Sequence, residues 1–352
     1  MFSTDDNYMQ RALELAAKGA GLVSPNPMVG AVLVHDGVII GEGYHAYFGK
    51  AHAEINCLNA VKPENIQFIS SSTMYVTLEP CSHHGKTPPC ADRLIHEGIK
   101  KVVIAAKDPN PLVQGDGIRK LEEAGVEVNV GVMEEEAKYQ NRRFFTAMIK
   151  ERPYITLKWA QSADGFIGSG TSERIKITSN QTDVLVHRWR SEEDAIMIGR
   201  RTAMLDDPSL TTRLIQGKSP LRIVLDSNNS LPRSLKMFND GHPLVIVNSE
   251  KDVVEGSIRY KKINNDETFW KELMFFLHEQ QIQGLLVEGG REVISSMISS
   301  GYWDEAFVFT NTEMKINSGV KSPVIPTNTI VKVEEHIGSD LLHVYVNCLI
   351  DA

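Results

Sequence analysis

His52, Glu54, Cys81 and Cys90 are the residues whose types and spacing in this chain could do chemistry together. One imidazole and two thiols form a three-ligand set for zinc that leaves a fourth position open to water. Glu54 stands two residues from His52, close enough to carry protons for the same site without binding the metal. A lone histidine is more often a core or surface residue, and a lone cysteine is usually a small buried hydrophobe. The combination argues otherwise, because a structural zinc site ordinarily takes four protein ligands and needs no neighbouring carboxylate.

The elements that must bring these four together can be read from the flanking sequence. Tyr8, Met9, Ala12, Leu15 and Ala16 recur at helical spacing and predict a first helix from about Asp5 to Lys18. Two β-rich runs then meet at Asp36 and Gly37, a two-residue hairpin signal. A helix from His52 to Val61 would place His52 and Glu54 at its first turn. A strand over 73–78 runs straight into Glu79, Pro80 and Cys81, while Pro88 and Pro89 suit the start of a helix at Cys90. A helix start also favours the thiolate that a metal needs. The strand Lys101–Ala106, a helix around Gly117–Ala124 and a short strand Val126–Val130 follow, an alternation that implies a layered α/β domain. A helix over Glu134–Phe145 closes this half, and the boundary expected near Ile149–Arg152 divides the chain into residues 1–148 and 149–352.

Beyond Pro153 a second alternation begins with a strand to Gln161, a turn at Asp164 and Gly165, and a helix from about Gln181 to Ser191. Strands follow at Ala195–Ile198, Leu221–Leu225 and Leu244–Val247, then a helix near Asp266–Gln281. A strand over 285–290 next feeds a helix over 291–301 through Gly289 and Gly290. A strand, a Gly pair and a helix start can seat a phosphate on free backbone N–H groups, although such a pair alone is more often a plain tight turn. The segment 200–213 gathers Thr202, Asp206, Asp207 and Arg213 and is too polar for core; caps and turns are its bland alternative.

Composition narrows the function classes. At 352 residues the chain is long enough for two domains, and 42% hydrophobic with 23% charged residues is a globular profile. A net charge of -8 and the lack of a long basic run argue against a polynucleotide partner. No apolar run approaches a membrane span. Acidic residues near Met1, where a secretory signal is basic, lead to the expectation of a cytoplasmic chain beginning there. Reduced thiols fit that compartment, so Cys57 and Cys348 are expected to be buried apolar residues.

His-x-Glu followed by Pro-Cys and a second Cys is the pattern of zinc deaminases that act on nucleobases. Here eight residues, Ser82 to Pro89, separate the cysteines, and that insertion reads as a substrate loop in which Lys86 could meet an anion and His83 a base edge. Two other readings stand beside this one: a polynucleotide-editing deaminase whose second half positions RNA, and a binding scaffold with structural zinc.

The His-Ala-Glu triplet and the Pro80–Cys90 run, together with segments 24–34, 41–45 and 107–111, resemble the bifunctional riboflavin biosynthesis family, a deaminase fused to a reductase. The similarity spans essentially the whole chain. It implies a cytidine-deaminase-like three-layer α/β/α domain followed by a dihydrofolate-reductase-like α/β domain. It also implies zinc on His52, Cys81 and Cys90 with Glu54 as proton carrier, and a pyrimidine ribosyl phosphate substrate at Asn26, His45, His83, Lys86, Asp108 and Asn110. In the second half it implies NADPH-dependent reduction of the ribosyl to a ribityl chain, with Lys158 and Asp206 catalytic. Arg174, Arg190, Leu210, Arg213 and Glu288 would meet substrate. Thr202, Asp206, Ser227, Lys176 and the run Gly290, Arg291, Glu292, Val293, Ile294, Ser295 and Ser296 would meet cofactor. The chain departs from the family where Arg174 and Lys176 replace its usual Ser and Trp, which adds two cations on the nicotinamide side. The expected partners are this small substrate and further copies of the chain, with no nucleic acid and no membrane; a deaminase with a degenerate second domain is the alternative.

Overall fold

The computed structural model describes residues 4–82, 88–111, 113–171 and 174–348. They divide into two compact units, Met1–Lys150 and Glu151–Ala352. Among the described residues no helix is long and apolar enough to cross a membrane.

The first unit runs α1 (Thr4–Ala17), β1 (Gly30–His35), β2 (Val38–Tyr44), α2 (Ala53–Asn59), β3 (Thr73–Leu78), α3 (Cys90–His96), β4 (Lys101–Ala106), α4 (Asp116–Glu123), β5 (Glu127–Val130), α5 (Glu134–Gln140) and α6 (Arg142–Lys150). Its sheet has the order β2-β1-β3-β4-β5, with an antiparallel β1–β2 hairpin and parallel β3, β4 and β5. The hairpin turns at Asp36 and Gly37, both with positive φ, as a two-residue turn of this hand requires. Side chains alternate across the sheet with period two. Ala31, Leu33, Met74, Val76, Val102 and Ile104 meet α2, α3 and α4, whereas Val32, Val34, Tyr75 and Val103 meet α1 and α5. The result is three layers, α/β/α.

One expected helix is broken in two. Buried Asn141 separates α5 from α6: its side-chain amide donates to Met28 O and its side-chain oxygen accepts from Met28 N, both at 2.8 Å. A side chain committed to a partner that distant in sequence leaves no trace in local periodicity.

The second unit runs β6 (Tyr154–Ser162), β7 (Phe166–Gly168), α7 (Asn180–Glu192), β8 (Ala195–Gly199), α8 (Arg200–Asp206), β9 (Leu221–Leu225), α9 (Lys236–Asn239), β10 (Leu244–Asn248), β11 (Val253–Glu255), β12 (Ile258–Lys262), α10 (Phe269–Glu279), β13 (Gly284–Val287), α11 (Arg291–Ser300), β14 (Glu305–Asn311), β15 (Val320–Lys321), β16 (Thr329–Ile337) and β17 (Asp340–Asn347). Ten strands form one sheet in the order β11-β12-β10-β9-β8-β13-β6-β14-β17-β16. Strands β12 through β14 in that order are parallel, and antiparallel strands flank them at both ends. Leu157, Trp159, Met197 and Ile223 pack toward α10 and α11, while Ile196, Ile198 and Val224 pack on the opposite face with Ala203 of α8. In such a sheet ligands collect at the carboxyl ends of the strands. Cys348, expected to be buried, is exposed just past the end of β17.

Candidate active site

In the first unit, His52 is the N-cap of α2, Glu54 lies in that helix's first turn, Cys81 follows the end of β3, and Cys90 opens α3. These elements bring the imidazole and both thiols together, with all three ligand atoms within 4.8 Å of one another. Tetrahedral zinc bonds of about 2.3 Å to sulfur and about 2.0 Å to nitrogen hold those atoms roughly 3.5 Å apart. The His52 Nδ1 to Sγ separations are 3.5 Å for Cys81 and 3.4 Å for Cys90. Both the donor types and their spacing therefore fit zinc. Hydrogen bonds from Cys90 and His52 outweigh burial and hold the Cys81 thiol far below its ordinary range. The Cys90 backbone N–H adds a bond of 3.3 Å to the Cys81 sulfur.

Glu54 is 3% exposed. Burial, helped by the charge on Cys81, lifts its carboxyl to about 7, the range in which a carboxylate both takes and gives a proton at neutral pH. His45 is edge-on to His52 at 5.4 Å. Its Nδ1 lies 3.1 Å from Ala51 O, which can only accept, so Nδ1 carries the hydrogen; burial lowers the pKa, and the neutral ring then accepts at Nε2 from the Asn26 amide at 3.2 Å. Asn26 and His45 thus form one oriented pair beside the donors. His83 and Lys86 lie outside the described residues.

Asp108 and Asn110 are connected to the site by a residue that sequence reasoning did not assign. Glu79, between β3 and Cys81, accepts backbone N–H groups from Asp108 and from Gly115, Gly117 and Ile118. Asp108 Oδ1 in turn accepts from Asn110 N at 2.9 Å. Glu79, Pro80, Cys81, Ser82, Asp108 and Val113 line one cleft.

In the second unit, the structure gathers Lys158, Arg190 and Glu288. Lys158 stands on β6 between Leu157 and Trp159, which point into the opposite face's core, so its own side chain points toward α7. Arg190 donates to Glu288 at 2.6 and 2.8 Å, and Lys158 Nζ is 3.9 Å from the same carboxylate. Although burial opposes it, the charges of Arg190 and Lys158 hold Glu288 at about 2. Burial also lowers the pKa of Lys158, against the pull of Glu288. Arg213 is near through shared partners: Arg190 and Arg213 both donate to Thr211, and Arg213 N donates to His187 Nδ1 at 2.9 Å.

Other expected positions divide by their surroundings. Asp206 ends α8, has its pKa raised by burial, and lies 4.0 Å from the exposed Arg174. Lys176 pairs with Asp183 at 2.9 Å and with Asn180. Leu210 is 2% exposed within the core, so only its backbone, at φ 55°, is available to a ligand. Ser227 follows β9, and its carbonyl accepts from Ser249 N. Gly290 caps α11 with φ 58°, and a Cβ there would meet Thr202 Oγ1 at 3.0 Å. The first N–H groups of α11 have no intrahelical acceptor, and donors of that kind fit phosphate oxygens. Ile294 N donates to Gly290 O, the Ile294 side chain is in the core, and Ser296 Oγ accepts from Trp270 Nε1.

Residues 2–106 match the family model "Cytidine and deoxycytidylate deaminase zinc-binding region", and residues 153–312 match "RibD C-terminal domain". The riboflavin biosynthesis protein RibD of Aquifex aeolicus is 40% identical, over 96% of this chain and 97% of that protein. The Escherichia coli protein of the same name is 36% identical over 87% of each chain. A solved structure from Thermotoga maritima, a diaminohydroxyphosphoribosylaminopyrimidine deaminase/5-amino-6-(5-phosphoribosylamino)uracil reductase, superposes with a TM-score of 0.90 at 35% identity, over 98% of this chain and 99% of that one. The chain belongs to the RibD family of riboflavin biosynthesis, in which a zinc-dependent deaminase is joined to an NADPH-dependent reductase.

Proposed function

We propose that this chain deaminates a diaminopyrimidinone carrying a ribosylamino phosphate and then reduces the ribosyl group of the product to ribityl. The name of the Thermotoga maritima neighbour supports that substrate pair. We assign the first step to residues 1–148 and the second to residues 149–352. The observation that carries the reading is Glu54, buried beside two thiols and an imidazole whose spacing fits zinc.

Zinc on His52, Cys81 and Cys90 supplies the Lewis acidity that makes water nucleophilic near neutral pH. Glu54 takes the proton from the attacking water and delivers it to the departing amine. The Asn26–His45 pair orients the pyrimidine edge, and Asp108 and Asn110 hold the ribose phosphate end with His83 and Lys86.

NADPH supplies the hydride for the second step. Gly290 and the first turn of α11, with Thr202 and Ser227, hold its phosphates and ribose. Lys158, Arg190, Arg213 and Glu288 hold the sugar's oxygens and phosphate. Lys158 and Asp206, whose pKa values burial moves toward neutrality, exchange protons at the sugar. Arg174, the Leu210 backbone and Lys176 complete the substrate and nicotinamide sides.

We further propose a cytoplasmic homo-oligomer. Support for self-association comes from β16, an edge strand with Ile330 62% and Val331 48% exposed. The function is tested with Glu54→Gln: ammonia release should vanish, while zinc content and NADPH oxidation on pre-deaminated substrate persist. Ammonia release at the normal rate would sink the assignment.

A further inference from the structure

Glu79 is 6% exposed, and among the described residues its carboxylate accepts hydrogen bonds from backbone N–H groups of the segment 108–118. Oε2 accepts from Asp108 at 3.2 Å and Gly115 at 3.0 Å; Oε1 accepts from Gly117 at 3.0 Å and Ile118 at 3.4 Å. The two oxygens therefore grip the loop at its entry and at its exit. The exit is the start of α4, whose own N-cap, Gly115, has no side chain to satisfy the first-turn donors. A carboxylate at a helix N-terminus also interacts favourably with the helix dipole.

The same short segment fixes the metal end. Pro80 O lies so close to Gly117 that a Cβ there would be 2.0 Å away, and Cys81 follows directly. Asp108, held through its own N–H, uses its side chain to fix Asn110 N at 2.9 Å. The cleft between these parts is lined by Glu79, Cys81 and Asp108 together.

We infer that Glu79 is a positioning residue for deamination: it sets the distance and orientation of Asp108 and Asn110 relative to the metal ligand Cys81. The inference rests on the reading of Asp108 and Asn110 as substrate contacts. If Glu79 only capped α4, its loss would lower the amount of active enzyme and leave the affinity of each remaining site unchanged. A register role instead weakens substrate binding at sites whose zinc and Glu54 are intact, which appears in KM and not in kcat.

The test uses the full-length zinc-loaded enzyme, with ammonia release normalised to bound zinc. Glu79→Gln replaces one accepting oxygen with an NH2 that opposes two N–H donors. It should raise the KM for the diaminopyrimidinone about tenfold, with kcat per zinc changed by no more than about threefold. Asp108→Ala should raise KM as well, and the double variant should be no worse than the poorer single one, because both remove the same contact. Glu79→Asp keeps both acceptors on a shorter reach; it should give an intermediate KM, and it carries the test if the Gln variant does not fold. A normal KM for Glu79→Gln with a raised KM for Asp108→Ala overturns the positioning role alone. Normal KM for both overturns the substrate-contact reading and the inference with it. Additive KM effects in the double variant also overturn the inference.

Discussion

Arg190 and Glu288, 98 residues apart in the chain, meet through two hydrogen bonds of 2.6 and 2.8 Å. Arg190 comes from the last turn of α7, and Glu288 follows the carboxyl end of β13, two residues before the N-cap Gly290 of α11. The pair closes a buried charge cluster whose third member is Lys158. Its side chains are 12%, 8% and 14% exposed respectively, so each charge depends on the others for the solvation it has lost.

Glu288→Gln leaves two buried cations facing a neutral amide. Breaking a buried pair in this way costs on the order of 3–5 kcal/mol, so the second unit should unfold at clearly lower urea concentration. NADPH oxidation on the deaminated substrate should fall with it, while ammonia release stays normal because the zinc donors lie in the other unit. Urea titration monitored by tryptophan fluorescence, with both activity assays, checks this. An unchanged midpoint would show that the cluster is not coupled as its geometry requires.

His187 gives a pH signature. Burial first, then the charges of Arg190 and Arg213, lower its pKa from 6.5 to about 4, and its Nδ1 is already committed to the Arg213 N–H at 2.9 Å. The unfolded chain therefore binds a proton between those two values that the folded chain refuses. Stability should be full above about 6.5 and decline as pH falls toward about 4. Other groups titrate in that window, so the diagnostic is a difference. His187→Gln, which keeps an acceptor but cannot be protonated, should lose less stability over the same range than the parent chain. Equal slopes in urea titrations from pH 7 to 4 would remove His187 from the account.

The parts legible in the sequence were those whose signals are local. The Asp36–Gly37 turn, the strand that leads to Cys81 and the helix that starts at Cys90 each lie within a few residues of their cause. The metal set was legible because only a few residue types serve zinc. Glu79 was not: its role depends on N–H groups of residues 108–118, and nothing near it in sequence distinguishes it from a surface glutamate. The α5–α6 break at Asn141 and the Arg190–Glu288 pair are likewise long-range. β16 escaped for a different reason. Nearly all of its residues are exposed, so an edge strand with no buried face has no period to detect.

Gly43 tests how closely the sheet positions the zinc site. It lies on β2 against α2, and a Cβ there would fall 2.2 Å from Cys57 N and 2.5 Å from Ala53 O, both helix backbone. Backbone atoms cannot swing aside, so Gly43→Ala must push α2 from the sheet, and His52 and Glu54 ride on that helix. Overpacking of this kind costs roughly 1–3 kcal/mol or more. Zinc affinity and ammonia release should both drop, with NADPH oxidation on pre-deaminated substrate retained. Normal zinc affinity would mean that the helix and sheet can separate without disturbing the donors.

Removal of zinc separates a catalytic from a structural centre. The donors sit at two helix starts and a strand end, and the layers around them are held by their own apolar clusters above and below the sheet. A chelator should therefore abolish ammonia release while circular dichroism keeps most of its native signal, in contrast to domains that fold only around their metal. The three donor atoms lie within 4.8 Å of one another on that retained scaffold, so added zinc should restore activity without a refolding step. Loss of native dichroism on chelation would instead make the ion part of the first unit's folding core.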